Sequence, residues 1–434
     1  MRKIFQYILM AVAVVVTASC SNDIDETLHP AGNGAIQFVV SDFPAFGESG
    51  LTRAIGTQDE GKTAWENGDQ IIVTLTSQKY GEQAAALTYD GSSWSTEASL
   101  SYLENETPTI SAVYAPCYEV TEEGVKQLRS GMQLGMCEYL EAACEIEYGT
   151  INISFDGAHR TYSRLRIAAM PEATLIVTTT DFTPAGATSE ATEAYTLTAD
   201  DKGNAYLYGV FAEEATVSVK QGEVTLKDYI FTADKNPNGT EHNKSYALDA
   251  TPVIDGTLGG KATAEESDIT ALMEKLKDYV ANGITTIIIT GAEPAIIDMY
   301  LWTNTAIGEA IYRLSGGDED YDENNPYNGK IDLILSDVTE IVDQEYYNAF
   351  ALNSITLPKV TTIGDEAFYG CYHLKQITFG SEVTSVGEDA FVVVVVERDC
   401  ELVLNKDQVA VEGLAPDFDS RTWAGHTWKS ITLK

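Results

Sequence analysis

Part of the 434-residue sequence is repeated, and this repeat restricts what the chain can fold into more than any other feature. The stretch from Ile355 to Phe368 recurs from Ile377 to Phe391, so equivalent positions lie 22 or 23 residues apart. A fainter copy comes before both, and its apolar positions are Leu333, Leu335, Val338 and Ile341. A period of this length, with a short strand, a turn and an aromatic residue in each copy, predicts a solenoid whose neighbouring turns share one core.

The repeated motif also carries a resemblance to a known family. Residues 363–368 read Ile-Gly-Asp-Glu-Ala-Phe, and residues 386–391 read Val-Gly-Glu-Asp-Ala-Phe. This motif is similar to the Ile-Gly-x-x-Ala-Phe core of the BspA-like leucine-rich repeat of bacterial surface antigens. The resemblance implies a leucine-rich-repeat domain over about residues 251–434. Two good copies and one faint copy reach the minimum for a solenoid only narrowly, so we expect caps at both ends.

Segments on either side of the repeat are candidates for these caps. We expect Ser267 to cap a helix that ends at Gly283 and covers one end of the solenoid. A second short helix is expected from Asn304 to Leu314, and the stretch from Cys400 to Lys434 is expected to cover the other end. The run from Val392 to Val396 departs from the repeat, and its five β-branched residues predict a buried strand rather than an exposed edge.

From about residue 34 to 250, apolar and polar residues alternate, as in strands with one buried face. The alternation is clear at four places: Ile36/Phe38/Val40, Ile71/Val73/Leu75, Ile151/Ile153/Phe155 and Leu165/Ile167/Ala169. Turn signals separate these stretches, and long amphipathic helical patterns are nearly absent. We therefore predict two β-sandwiches, at 34–172 and 173–250. The whole chain is predicted to be mainly β: two tandem β-sandwiches followed by a short capped leucine-rich-repeat solenoid with one or two helices.

This β-rich half resembles the fimbrillin family. The most specific match is Trp65-Glu66-Asn67-Gly68-Asp69-Gln70-Ile71, and residues 36–38, 51–54, 112–116 and 153–159 also match. The resemblance implies two tandem β-sandwiches and a role as a pilus subunit or a lipoprotein relative of one. It also implies cleavage after Arg53, which would free a groove for a strand of a neighbouring subunit. An uncut polar connector around Arg53 is an equally good interpretation.

The N-terminus reads as an export signal. Arg2 and Lys3 precede a short apolar stretch, which is followed by Thr17-Ala18-Ser19 and then Cys20. This arrangement resembles the bacterial lipobox, so residues 1–19 are predicted to be a lipoprotein signal peptide and Cys20 the lipidated residue. Residues 20–33 are predicted to be a tether, and the acidic cluster within it resembles the surface-export signal of lipoproteins from Gram-negative anaerobes. The location implied is the cell outer membrane, surface-exposed and lipid-anchored. The alternative is ordinary signal cleavage with Cys20 incidental.

The net charge restricts the classes of binding partner, and the number of cysteines restricts the disulfides that can form. The chain has 66 acidic and 27 basic residues and a net charge of −39, which disfavours nucleic acid and anionic membrane surfaces as partners. Apart from Cys20 the cysteines are Cys117, Cys137, Cys144, Cys371 and Cys400. An odd number cannot all pair and no spacing is of the Cys-x-x-Cys kind, so free thiols are expected. The sequence leaves open whether two of Cys117, Cys137 and Cys144 form one disulfide.

Motifs for catalysis and metal binding are weak, so we expect no catalytic residue, cofactor or metal, and no enzyme activity. Gly56 to Thr63 matches a phosphate-binding loop, but a turn rather than a helix is expected after it. The acidic loop at 318–325 lacks two positions that an EF-hand requires, which leaves only weak calcium binding open. The five histidines are scattered and match no nucleophile or zinc motif.

These features together favour a surface-exposed lipoprotein that acts as an adhesin or as a pilus-associated tip or anchor subunit. The expected partners are other pilus subunits, or host or bacterial surface proteins or glycans. Solenoids offer extended binding surfaces, and Tyr369, Tyr372 and His373 are the candidate contact residues. One alternative is a polysaccharide-capture lipoprotein, which would carry a row of exposed Trp or Tyr on a sandwich face. A less favoured alternative is a surface glycan-active enzyme, which would need convergent carboxylates in a pocket.

Overall fold

The computed structural model describes residues 36–46, 62–103, 106–147, 149–189, 194–232, 239–291, 296–297, 305–317, 321–392 and 399–434. These residues form two compact units, and the second contains Lys220–Leu226 together with Thr251–Lys434. Several predicted features lie outside the described residues: the signal peptide at 1–19, the tether at 20–33, Cys20, Arg53 and most of the valine run at 392–396. Their roles stay predictions.

The first unit begins with a large sheet and a small hairpin. Their strands are β1 (Gln37–Val40), β2 (Gln70–Ser77), β3 (Gly81–Tyr89), β4 (Trp94–Ser95), β5 (Thr109–Tyr114), β6 (Tyr118–Val120), β7 (Lys126–Leu128), β8 (Leu140–Glu147) and β9 (Thr150–Ser154). Seven of them form one sheet in the order β1-β9-β8-β5-β2-β3-β4, and β6 and β7 form the hairpin.

The alternation of apolar and polar residues in the sequence predicts that one face of this sheet is buried in a core. Ile71, Val73 and Leu75 on β2 are fully buried, as predicted. Trp65 lies within a group of aromatic rings, with its centroid 4.8 Å from that of Phe43 and 4.9 Å from that of Trp94. The turn after Trp65 is tight because Asp69 N–H donates to the carbonyl oxygen of Glu66 at 3.0 Å. This turn sets the start of β2 next to the aromatic group.

The rest of the first unit is a β-sandwich, although residues 220–226, at the end of one of its strands and the start of the next, are grouped with the second unit. Its strands are β10 (Ser163–Ala168), β11 (Thr174–Thr179), β12 (Phe182–Pro184), β13 (Ala194–Thr198), β14 (Asn204–Phe211), β15 (Thr216–Gln221), β16 (Val224–Ile230) and β17 (Ser245–Asp249). They form two four-stranded sheets, β12-β14-β10-β17 and β13-β11-β15-β16. The sequence-based boundary at residue 172 placed β10 in the preceding sandwich, but β10 pairs with β14 and β17. Judged by its hydrogen bonds, this sandwich therefore begins at Ser163. The predicted boundary was wrong because alternation identifies a strand but not the strand with which it pairs.

A buried ion pair and a disulfide lie in the first unit. Arg160 Nε donates to Glu138 Oε1 at 2.6 Å, and neither side chain is more than 4% exposed. Tyr162 O–H also donates to Glu138, and burial together with that carboxylate holds the pKa of Tyr162 well above its ordinary value. Cys117 and Cys137 form a disulfide, whereas Cys144, Cys371 and Cys400 are free thiols. The one pairing that the sequence left open is thus between the first two of its three candidates.

The second unit is built on a parallel sheet. Its strands are β18 (Val253–Asp255), β19 (Thr263–Ala264), β20 (Thr286–Thr290), β21 (Ile296–Ile297), β22 (Ile331–Leu335), β23 (Glu340–Ile341), β24 (Leu352–Leu357), β25 (Thr362–Ile363), β26 (Gln376–Phe379), β27 (Ser385–Val386), β28 (Glu401–Leu404), β29 (Thr422–Trp423), β30 (His426–Thr427) and β31 (Ser430–Leu433). The main sheet has the order β18-β20-β22-β24-β26-β28-β31, and every pair in it is parallel. A second parallel sheet, β23-β25-β27, lies at the turn of each coil.

Two α-helices belong to the first coils of this solenoid. Helix α1 (Glu266–Ala281) connects β18 to β20, and helix α2 (Ala306–Leu314) comes between β20 and β22. The helix predicted to follow an N-cap at Ser267 therefore begins two residues earlier than predicted, with Glu265 at its N-cap. The side chain of Asp268 accepts the backbone N–H of Glu265, as the third helical residue does in a capping box. Among the described residues, no helix is long and apolar enough to cross a bilayer.

The repeat read from the sequence corresponds to stacked coils. Ile355 on β24 pairs with Ile377 on β26, and both are fully buried. Farther along, Ile377 pairs with Leu402 on β28, so the coil after the last clear sequence copy is longer than 23 residues. Trp423 and Trp428, which follow β28 in the sequence, are buried. Their ring centroids lie 6.0 and 5.2 Å from that of Phe391. The mainly-β fold with a leucine-rich-repeat region is confirmed.

Candidate binding surface

In one segment of the repeat, some side chains point into the core and others point outward. In residues 367–374 the buried side chains are Ala367, Phe368, Cys371 and Leu374, while Tyr369 and His373 are partly exposed and Tyr372 is 47% exposed. The inward set continues the core: Phe368 stacks between Tyr346 and Phe391, at centroid distances of 5.6 and 5.7 Å. Burial raises the pKa of the Cys371 thiol to about 12, so this cysteine stays protonated and acts as a packing residue.

The outward set forms an aromatic surface. Tyr347 lies 22 residues before Tyr369, and their rings stack at 5.1 Å with an interplanar angle of 5°. Phe350 lies 22 residues before Tyr372, and these rings stack at 5.4 Å. We use the term aromatic surface for six residues: Tyr321, Tyr347, Phe350, Tyr369, Tyr372 and His373. A ladder of rings arises here because the period of the coil places aromatic residues directly above one another.

Tyr321 completes this surface from outside the repeat. Its ring centroid lies 5.0 Å from that of Phe350 and 5.5 Å from that of Tyr372. Its hydroxyl group lies 2.8 Å from Nε2 of His373, within hydrogen-bond distance. Tyr321 is 44% exposed and Phe350 is 5% exposed, so Phe350 forms a buried base for the exposed rings.

The turn that carries these rings allows little freedom. Gly370 has a φ of +75°, and a Cβ atom there would lie 1.9 Å from Oδ1 of Asn348 in the neighbouring coil. Asn348 N–H donates to the carbonyl oxygen of Tyr369 at 2.7 Å, which ties the two coils together. Only glycine fits at position 370 without displacing Asn348. The rings of Tyr369 and Tyr372 are therefore carried by a fixed backbone.

A polar depression of about 370 Å³ lies on the open face of the main parallel sheet. Its lining residues are Asp332, Asn353, Ser354, Lys375, Gln376, Glu401 and Lys429. Asp332 Oδ1 accepts hydrogen bonds from Asn353 Nδ2 at 2.7 Å and from Ser354 Oγ at 2.6 Å. Lys429 pairs with Glu401 at 3.0 Å, and Lys375 forms an ion pair with Asp399 at the rim.

The ion pairs keep the charges of this depression fixed at neutral pH. The hydrogen bond from Lys375 is the main cause that lowers the pKa of Asp399, and the hydrogen bond to Glu401 is the main cause that raises the pKa of Lys429. These groups are solvent-exposed, so the shifts describe their charge state rather than a large contribution to stability.

The structure brings together the three residues selected from the sequence: Tyr369, Tyr372 and His373 lie within the aromatic surface. Sequence reasoning missed Tyr347 and Phe350, although each lies one period before a selected residue. It also missed Tyr321, for which the sequence offers no such signal, because its contact with Tyr372 spans a loop. The other two selected residues, Cys20 and Arg53, lie outside the described part of the chain.

The candidate residues for nucleotide binding and metal binding are not arranged for those roles in the described part of the chain. Lys62, the lysine of the motif that resembles a phosphate-binding loop, pairs with Asp69 at 2.9 Å and with Glu66 at 3.2 Å. Thr63 is followed by a turn and then β2 rather than by a helix. In the parts of the chain that are described, no group of three or more His, Cys, Asp or Glu side chains is arranged to hold a metal ion.

Comparison with known proteins supports the repeat. The family model described as BspA type leucine rich repeat region (6 copies) matches residues 335–396. No family model matches the stretch that resembles the fimbrillins. No curated protein and no solved structure matches the chain. The matched region includes five of the six residues of the aromatic surface, and Tyr321 lies just before it.

Proposed function

We propose that this chain is a surface-exposed lipoprotein of the cell outer membrane, anchored through Cys20, that acts as an adhesin or as a pilus-associated tip or anchor subunit. Its partners would be pilus subunits, or host or bacterial surface proteins or glycans. The repeat of the BspA type is consistent with a surface or adhesion protein. The two β-rich parts of the first unit would act as the stalk that presents the repeat domain, defined as residues 251–434.

The observation that carries this proposal is the aromatic surface. Tyr321 and Tyr372 are both more than 40% exposed, although large aromatic side chains are commonly buried. Tyrosine rings that are held rigidly lose little conformational entropy when a partner covers them, and tyrosine is enriched at the centres of binding interfaces. An exposed aromatic group on a fixed backbone therefore supports a contact surface for a partner.

The polysaccharide-capture alternative requires a row of exposed Trp or Tyr on a sandwich face. Trp65 and Trp94 instead pack into the core of the first unit. Among the described residues of that unit, the exposed large hydrophobic side chains include neither Trp nor Tyr. A binding role is therefore better supported for the repeat domain than for the sandwich faces.

Two measurements test the proposal. Cells that carry the protein should incorporate labelled palmitate into it, and Cys20→Ala should abolish the label and move the protein to the soluble fraction. Cells that display the protein should attach to a surface coated with the partner, and Tyr372→Ala should reduce attachment. Phe418→Ala is the matched control, because Phe418 is 46% exposed in the same unit but lies in the C-terminal segment. Unchanged labelling in Cys20→Ala, or equal attachment by all variants, would contradict the proposal.

A further inference from the structure

The aromatic surface and the polar depression lie next to each other along the chain in two successive coils. Phe350 precedes Asn353 by three residues, and Tyr372 precedes Lys375 by three residues. Three residues span about 10 Å at most, even when fully extended. On two neighbouring coils, residues of the aromatic surface therefore lie within about 10 Å along the backbone of residues that line the depression, at the N-terminal ends of β24 and β26. One ligand can contact both features at once.

The two features differ in chemistry in a way that narrows the ligand class. The aromatic side offers tyrosine rings, whose negative faces attract C–H groups that carry a partial positive charge. The polar side offers carboxylate, amide and hydroxyl groups and two lysines, which together both donate and accept hydrogen bonds. A pyranose ring presents C–H groups on one face and hydroxyl groups at its edge, and it matches both sides. An apolar peptide segment would leave the polar groups without partners.

The charges favour a neutral ligand. Asp332 and Glu401 contribute two negative charges to the depression, and Lys375 and Lys429 contribute two positive charges. Both lysines are engaged by carboxylates, Lys375 by Asp399 and Lys429 by Glu401. The whole chain carries a net charge of −39, which repels polyanions. An acidic polysaccharide would therefore meet neither a free cation at the depression nor an attractive long-range field.

We propose that the border between the aromatic surface and the polar depression binds a neutral oligosaccharide, with the tyrosine rings stacking on sugar rings and the depression forming hydrogen bonds to their hydroxyl groups. This inference rests on the proposed role as an adhesin and specifies its ligand as a neutral glycan rather than a protein. Tyr372 supplies the central stacking ring. Asp332 and Glu401 accept hydrogen bonds from sugar hydroxyl groups, and Asn353 and Gln376 complete the hydrogen-bonding row.

Calorimetry on the purified full chain tests this inference. The probes are the neutral hexasaccharides maltohexaose, cellohexaose, mannohexaose and chitohexaose, with hexagalacturonate as the acidic comparison. At least one neutral probe should bind, and Tyr372→Ala should weaken its binding by roughly tenfold or more, as expected for loss of a stacking ring. Glu401→Gln should also weaken binding, while Phe418→Ala should not change it. Because the ligand is uncharged, the dissociation constant should be the same at low and high salt.

Several outcomes would overturn the inference. These are no binding by any neutral probe, binding only of hexagalacturonate, or neutral binding that Tyr372→Ala and Glu401→Gln both leave unchanged. Thermal melting of each variant shows whether it is folded, and Glu401→Gln keeps the shape of the side chain if Tyr372→Ala proves unstable. If cell attachment depends on Tyr372 while no neutral probe binds, the partner is a protein. In that case the adhesin proposal stands and the glycan inference fails.

Discussion

In the repeat domain the core contacts join equivalent residues of successive coils, whereas in the first unit they join residues with no counterpart in the sequence. Phe368 stacks on Phe391 with an interplanar angle of 4°, and the two residues lie one period apart. In the first unit, Trp65 contacts Phe43, Tyr114 and Phe155, which come from separate parts of the chain. The first kind of core can be read from periodicity, while the second depends on long-range strand pairing.

The aromatic ladder of the repeat domain also differs in kind from a buried ion pair of the first unit. The repeat domain stacks Tyr346, Phe368 and Phe391, and its ladder consists of aromatic rings. The first unit buries Arg160 and Glu138 together, with the guanidinium group 4.1 Å from the ring centroid of Phe46. In the ladder, a substitution should lower stability only where it removes a ring that contacts its neighbours. In the buried ion pair, removal of either partner should lower stability, because the other charge stays buried without a partner. The predictions below test this contrast, starting with the largest expected effect.

Phe368→Ala should destabilise the repeat domain by about 3–5 kcal/mol, because it removes a fully buried ring that contacts two others. The measurement is urea unfolding of the full chain, followed by a signal from each unit. Tyr369→Ala is the matched control: this neighbouring ring is partly exposed, and its loss should cost about 1 kcal/mol or less. Equal effects of the two substitutions would mean that the inward and outward positions of the repeat are assigned incorrectly.

Glu138→Ala should destabilise the first unit by about 3 kcal/mol, since Arg160 would remain buried without its carboxylate partner. We expect the lower end of the usual range because Arg160 keeps its hydrogen bonds to the carbonyl oxygen of Ala45 and to Asn243. Glu145→Ala, at an exposed position of β8, should change stability by less than about 0.5 kcal/mol. If the two variants unfold at the same urea concentration, Arg160 does not depend on Glu138.

Gln408→Ala should destabilise the repeat domain by about 2 kcal/mol. This fully buried side chain accepts the N–H of Val383 at 2.7 Å and donates to the carbonyl oxygens of Val383 and Leu414. Its loss would leave buried backbone groups without partners. Gln376→Ala, on the open face of the sheet, should cost less than about 0.5 kcal/mol. A melting temperature in Gln408→Ala that matches that of Gln376→Ala would count against this bridging role.

The contrast also explains which features the sequence could predict. The pairing of Ile355 with Ile377 follows from the period, because parallel coils align equivalent residues. The position of Tyr346 in the same ladder was not predicted, since the fainter copy has Tyr where the good copies have Phe. The partners of β10 could not be predicted, because β14 and β17 are distant in sequence and alternation carries no pairing information.

The same limit applies to the candidate surface. The period could have predicted Tyr347 and Phe350 from Tyr369 and Tyr372. The polar depression could not be predicted in this way, because its lining residues differ from coil to coil: Asp332, Ser354, Gln376 and Glu401 occupy paired positions with no common side chain. Variation at one position over a constant core is what gives a solenoid its specific binding surface.

The last prediction is that ATP has no effect on stability, and it concerns the motif that resembles a phosphate-binding loop. In such a loop the lysine contacts the β- and γ-phosphates, and the helix that follows directs backbone N–H groups at the nucleotide. Here Lys62 is only 17% exposed in its side chain and pairs with Asp69, and Tyr114 also donates to that carboxylate. The lysine is thus part of the turn before β2. We expect no change in the melting temperature of the full chain with magnesium and millimolar ATP.

This expectation can be tested sharply because binding and stability are linked. A ligand at about a hundred times its dissociation constant stabilises the folded state by about 2.7 kcal/mol, which shifts the melting temperature visibly. Lys62→Ala separates the two interpretations of the lysine. If it serves the turn, the variant should melt at a lower temperature with or without ATP, because Asp69 loses its cationic partner while it keeps the hydrogen bond from Tyr114. An ATP-dependent stabilisation of the wild-type chain that disappears in Lys62→Ala would instead identify a nucleotide site, and the proposal of an adhesin would have to be replaced.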